Sequence, residues 1–248
     1  MLIEQSAYAN RWRRVSPAAK GIFALCGIVA SFVAGTPLAA VAVVCLLAVA
    51  AWIGAGIPVG RYLRVAAPAL FFLATSCLSL AFSLNADHDT GAFSLHLTPS
   101  GLRSVAEVSS RSLGALAALL FLVLTTPLID LIALLRRLKT PEVLLEIMVL
   151  CYRMLFVFSE AVHDTLTAQS ARLGYATSRL ALRSLGGLAA NLTVQVWQRA
   201  HALHVAAQAR NNDGTLRFLE PEFANAGRDI SLATASGGVL IALAVVLS

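Results

Sequence analysis

This chain has little charge for its length. Only 13% of its 248 residues are Asp, Glu, Lys or Arg, about half the roughly 25% of a soluble domain. Lysine occurs only at Lys20 and Lys139, so the net charge of +6 is almost entirely arginine. Cys26, Cys45, Cys77 and Cys151 are far apart and form no CxxC pair, which argues against a zinc site or a disulfide framework. Each lies in an apolar run and reads as a small buried residue. The chain also has no GxxxxGKS/T, HExxH or GxSxG, so no phosphate-cradling loop, zinc-protease helix or nucleophile elbow is expected.

What is abundant is apolar surface, at 58% of residues and a mean hydropathy of +0.77. That balance excludes disorder, a small disulfide scaffold and an ordinary cytosolic enzyme, and leaves an integral membrane protein. Basic residues in such a chain orient loops rather than bind nucleic acid. A hydrocarbon core of about 30 Å needs about 20 apolar helical residues. Runs near 21–34, 37–55, 65–84, 104–124 and 230–247 fit, the first of them short. A signal peptide is the alternative for that first run, because Arg11, Arg13 and Arg14 precede it.

Charge then assigns sides. Arg11, Arg13, Arg14 and Lys20 precede the first span, Arg61 and Arg64 follow the second, and Arg136, Arg137 and Lys139 follow the fourth. Asp87 and Asp89 follow the third. The alternation predicts a cytoplasmic N-terminus and an external loop over 85–100. Within that loop Phe93, Leu95 and Leu97 alternate with polar residues in a strand-like pattern. Thr-Pro pairs at 36–37, 98–99, 126–127 and 140–141 read as helix starts.

Between the last two spans, residues 127–228 carry eleven Arg and Lys against eight Asp and Glu. Three helices are predicted there, near 127–138, 141–172 and 177–211. On the second, Glu142, Glu146, Arg153, Glu160 and Asp164 fall on one stripe at 100° per residue. It reads as a solvated or internally paired face, with partner contact or a proton or cation path as alternatives. Gly186 and Gly187 interrupt the third helix and suggest a close helix crossing. His201 and His204 lie one turn apart without a carboxylate or thiol ligand near them in sequence, so a surface pair is favoured over a metal site.

The order Thr-Thr-Pro (125–127), Asp130, Leu-Leu-Arg-Arg-Leu-Lys-Thr-Pro (134–141), Cys-Tyr-Arg (151–153) and Ala-Gln-Ser-Ala-Arg-Leu-Gly-Tyr (168–175) resembles the T components of energy-coupling factor transporters. Within that family the CbiQ-type subunits of cobalt uptake systems, named in connection with cobalamin biosynthesis, are the most similar branch. The resemblance implies a membrane scaffold joining a metal-binding membrane subunit, with a small accessory membrane subunit, to two ATP-hydrolysing subunits. It also implies two Ala-Arg-Gly motifs that end cytoplasmic coupling helices and dock on the ATPases. The matching positions are Ala171-Arg172-Leu173 and Ala209-Arg210-Asn211, where leucine and asparagine replace the glycine. Because Gly174 and Gly214 come later, the helices are expected to run slightly further.

The expected architecture is therefore all-α and polytopic, with about five transmembrane helices and a helical cytoplasmic coupling region. Its expected parts are 1–125 (four membrane helices), 126–228 (coupling region) and 229–248 (the last membrane helix), in the cell (inner) membrane. No catalytic, cofactor-binding or metal-ligating residue is expected, and no nucleic-acid partner. A nickel-specific T component is the alternative within the family. An intramembrane enzyme is the alternative from another class, but Glu107 and Arg111 are the only charged pair in the early spans. A secondary transporter would show two related halves, and no such repeat is visible.

Overall fold

A computed structural model describes residues 2–86, 93–97, 99–211 and 225–247. The protein is an all-α polytopic membrane protein, and it divides into two compact units, Met1–Leu134 with Pro221–Ser248, and Leu135–Glu220. The elements in order are α1 (Leu2–Ala9), a 3-10 turn (Arg11–Arg14), α2 (Pro17–Val33), α3 (Pro37–Val49) running into a π-helical turn (Ala50–Gly54), and α4 (Val59–Ala81). A hairpin of β1 (Phe82–Ala86) and β2 (Phe93–Leu97) follows, then α5 (Pro99–Thr125), α6 (Leu128–Arg137), α7 (Glu142–Ala171), α8 (Ser178–Ala209) and α9 (Ala226–Val246).

Five helices match the five expected spans. Pro37–Gly54, Val59–Leu80, Ser104–Thr125 and Ala226–Val246 are each long and apolar enough to cross a membrane, and Pro17–Val33 is shorter. The third starts earlier than expected, at Val59, and stops at Ala81. Leu84 and Asn85 belong to β1, which pairs antiparallel with β2 from Phe82↔Leu97 to Ala86↔Phe93. The strand-like alternation of Phe93, Leu95 and Leu97 is thus β2. The acidic part of the loop, with Asp87 and Asp89, lies outside the described residues.

In the first unit α2 is the hub, packing along α3, α5 and α9. Its buried face carries Ala24, Gly27, Ala30 and Ser31, and small residues let backbones approach closely. A Cβ on Gly237 of α9 would come within 2.7 Å of Cys26. One on Gly114 of α5 would overlap the Ser31 hydroxyl. The rest of the core is mostly alanine, with Val43, Leu47, Phe121 and Leu124 fully buried. Phe121 is met edge-on by Trp12 at 5.7 Å and Phe23 at 5.2 Å. Leu38, Phe71 and Phe72 are exposed, as expected of side chains that face lipid.

Two local readings change. Thr36 accepts a hydrogen bond from the Ala39 N–H and caps α3, as expected. Thr140 instead donates its hydroxyl to the Leu135 carbonyl at 2.8 Å, so it finishes α6 rather than starting α7. α6 ends with a hydrogen bond from Thr140 N to Leu135 O and Lys139 at φ +59°, and this end needs its carbonyls satisfied. The cysteines are free but none is buried, and Cys45 and Cys151 are exposed. Cys26 and Cys77 are half-buried, and Cys26 faces Gly237 of α9.

The N-terminal segment carries no periodic signal in the sequence, yet it is packed. The Arg11 N–H donates to Ala55 O at 3.1 Å, and the Trp12 indole fills the space above Gly54. Asn10 and Lys20 both donate to the Thr125 carbonyl at 3.0 Å, which caps the end of α5 with a cation where the helix dipole favours one. Next to this cap, Asp130 is nearly buried. Burial pushes its carboxyl above the ordinary value, opposed by the neighbouring Lys20 and Arg13 charges.

The second unit is built on α7 and α8, of 30 and 32 residues, joined by a short turn. Thr177 caps α8 by accepting from Leu180 N. No residue of α8 is buried. Leu182 and Trp197 are among its exposed apolar side chains.

Candidate functional site

The two Ala-Arg-Xaa positions lie at equivalent places. α7 ends at Ala171 and α8 at Ala209, with Arg172 and Arg210 as the residues that follow. The helices therefore do not run on towards Gly174, and Gly214 lies outside the described residues. The φ/ψ pairs of the two arginines are nearly the same, −95°/17° and −97°/13°. Leu173 and Asn211 come next, at φ +56° and +52°. Ala171, Arg172, Leu173, Ala209, Arg210 and Asn211 are all exposed. At 1.5 Å per residue, about 48 Å of helix α8 separates the turn carrying Arg172 from Arg210.

The left-handed residue is what a closing helix demands. Carbonyls of the last turn have no intrahelical partner, and a residue with positive φ turns the following N–H groups back onto them. Here Leu173 N donates to Ser170 O at 3.0 Å and Gly174 N to Gln169 O at 2.9 Å. At the second end Asn211 N donates to Gln208 O at 2.9 Å. Glycine usually holds this position without penalty, and asparagine is well tolerated there. Leucine is not, and a left-handed backbone costs such a residue about 1–2 kcal/mol.

A set of side chains surrounds the first turn. Tyr175 Oη donates to Gln169 Oε1 at 2.6 Å, and Gln169 Nε2 donates to Ser184 O at 3.1 Å. Ser184 Oγ in turn donates to Gly174 O at 2.9 Å. A Cβ on Gly174 would meet Ser184 Oγ at 2.7 Å and Gln169 O at 2.9 Å, so the glycine at 174 is needed for space rather than for φ. Gln169 and Tyr175 stand in the sequence run that carries the resemblance, but their pairing through Ser184 was not legible there.

The charged stripe of α7 is mostly exposed, with Glu142, Arg153, Glu160 and Asp164 at the surface and Glu146 half-buried. Glu160 and Asp164 line a polar groove of about 280 Å³ with Gln195 and Arg199 of α8. Arg199 also lies 6.0 Å from the centre of the Phe158 ring. The close crossing expected at Gly186 and Gly187 is not found among the described residues. A Cβ on Gly186 would meet nothing within 4 Å, and one on Gly187 only Gln169 Nε2 at 4.0 Å. Arg179 and Arg183 are exposed in the first turns of α8, away from the cap geometry that Arg172 and Arg210 share.

Residues 9–218 match the family described as CbiQ, cobalt transport protein. The cobalt transport protein CbiQ of Rhodobacter capsulatus is 34% identical over 218 residues, covering 88% of this chain and 86% of that protein. CbiQ of Salmonella typhimurium is 28% identical over 204 residues, 79% of this chain and 90% of the other. A putative fused cobalt transport protein CbiMQ of Methanocorpusculum labreanum is 35% identical over 135 residues, 53% of this chain and 22% of that longer protein. With four helices apolar and long enough to span a bilayer and a family match across most of its length, the chain belongs to the CbiQ family of cobalt transport proteins, as a multi-pass membrane component.

Proposed function

We infer that this chain is the coupling subunit of an ATP-driven importer of the energy-coupling factor type, with cobalt as the transported ion. Residues 126–228 form its coupling region on the cytoplasmic side, between the membrane helices of 1–125 and 229–248. Arg172 and Arg210 each dock on one of two ATP-binding subunits, where the planar guanidinium pairs with a carboxylate. Hydrolysis takes place in those partners, and this chain passes their motion to a metal-binding membrane subunit.

The single observation behind this reading is the matched pair of helix ends. Two long helices stop with the same arginine cap followed by a residue in the same left-handed conformation, held about 48 Å apart by α8. Two such tips on one chain suit two partner subunits. The extensive exposed apolar surface of α8 supports a role in an assembly, since an apolar face left uncovered marks an interaction site. The fused cobalt transport relative CbiMQ supports a membrane partner.

Reconstitution tests the reading. Vesicles holding this chain, the ATP-binding subunits and the metal-binding membrane subunit should take up radioactive cobalt only when ATP is supplied and this chain is present. Cobalt uptake at the same rate without this chain would contradict it, as would robust ATP hydrolysis by the chain purified free of other subunits.

A further inference from the structure

Leu173 combines two features that a folded chain ordinarily avoids. Its backbone is left-handed at φ +56°, a true outlier for a bulky side chain. Its side chain is 73% exposed, so no burial within the chain compensates for the strain. Strained backbone persists where the surroundings over-determine it, and such positions cluster at functional sites. The surroundings here are the three linked hydrogen bonds of Tyr175, Gln169 and Ser184, with Gly174 fitted against Ser184. These contacts brace the turn that contains Leu173. The effect is to present an exposed apolar side chain on the residue that follows the exposed Arg172.

Resting on the docking role of Arg172, we propose that Leu173 is a specificity-determining contact of that end. Its isobutyl group enters an apolar pocket of the ATP-binding partner, next to the carboxylate that pairs with Arg172. Gln169, Tyr175 and Ser184 are positioning residues that fix the turn. The second end carries Asn211 at the same backbone position, so it offers an amide where the first offers a hydrocarbon. The two ends therefore select different surroundings for their arginines.

The test uses full-length chain in nanodiscs and the ATP-binding subunits that copurify with it. Affinity and thermal stability are measured together. Leu173→Gly should weaken binding about tenfold or more, the scale of one buried leucine side chain, with thermal stability unchanged or raised because the strain is released. Leu173→Ala should weaken binding similarly, and Leu173→Met should keep it within about threefold, because its volume is conserved. Ser184→Ala, and Gln169→Leu with Tyr175→Phe, should speed amide exchange at 172–176 and weaken binding, while Ser184→Thr should retain both. If Leu173→Gly and Leu173→Ala bind as the wild type does while Arg172→Ala binds poorly, the leucine contact is wrong and the docking role survives. If Arg172→Ala also binds normally, both fall. A loss of thermal stability in Leu173→Gly would overturn the strain argument.

Discussion

Leu173 and Asn211 hold the same left-handed backbone, at φ +56° and +52°, each two residues beyond the end of a long helix. The shared geometry explains how both ends can depart from a glycine pattern and keep the same shape. The hydrogen bonds that close each helix fix the backbone, and the side chain is then free to differ.

Substitution at Asn211 should follow that backbone. Asn211→Gly should change stability by no more than about 0.5 kcal/mol, because asparagine already tolerates positive φ. Asn211→Val should cost about 1–2 kcal/mol, since a β-branched residue is strained there. Thermal unfolding in detergent checks both, and equal melting temperatures for the two variants would contradict the assigned conformation.

The helix crossings of the first unit make a second prediction. Gly237→Ala places a methyl group against Cys26, and overpacking of this kind costs about 1–3 kcal/mol. Cys26→Gly should recover part of the loss in the double variant, because neighbouring sites are not additive. Purely additive effects would show that α2 and α9 do not meet at these residues.

The cap on α5 has a pH signature. Folding raises the Asp130 carboxyl above its ordinary value because the group is buried. The folded chain thus holds this proton more tightly than the unfolded chain. The group's contribution is fully present below the ordinary carboxylate range and is lost as pH rises through the folded value. Lys20→Met removes the neighbouring positive charge and should steepen that loss, whereas Asp130→Asn should flatten it. Unfolding followed from pH 4 to pH 8 distinguishes them, and parallel profiles for both variants and the wild type would contradict the burial argument.

Orientation is tested by labelling. With the native cysteines replaced, a cysteine at Arg179 should be shielded from an impermeant thiol reagent in intact cells and should react once the membrane is opened. Labelling in intact cells would reverse the proposed sidedness.

Much of the fold was legible because strong local signals mark it. Thr36 and Thr177 each sit at a helix start and do cap it, and the long apolar runs end near the helices they predict. The misreadings have physical causes. The apolar run through Phe82 and Leu84 continues across the change from α4 to β1, so hydropathy alone extends the helix. Lys20 reads as a flanking charge, but its acceptor is the Thr125 carbonyl, 105 residues away in sequence. The segment before Pro17 is too short for periodicity to register, and it is held by Trp12 and Asn10 reaching across the chain. At the ends of α7 and α8 the arginines could be placed from the resemblance. The left-handed backbone beneath Leu173 could not, because a bulky residue such as leucine gives no signal for positive φ.

The central claim, that Arg172 and Arg210 dock the chain on ATP-binding subunits, is tested most directly by charge reversal at both ends. Losing one member of a desolvated ion pair costs about 2–5 kcal/mol, against about 0–1 for an exposed one. The Arg172→Glu, Arg210→Glu double variant, matched to wild type for its level in the membrane, should fail to copurify with the ATP-binding subunits and should lose ATP-driven cobalt uptake. Arg179→Glu with Arg183→Glu should retain both activities. A docking-end double variant that assembles and transports cobalt at the wild-type rate would contradict the account.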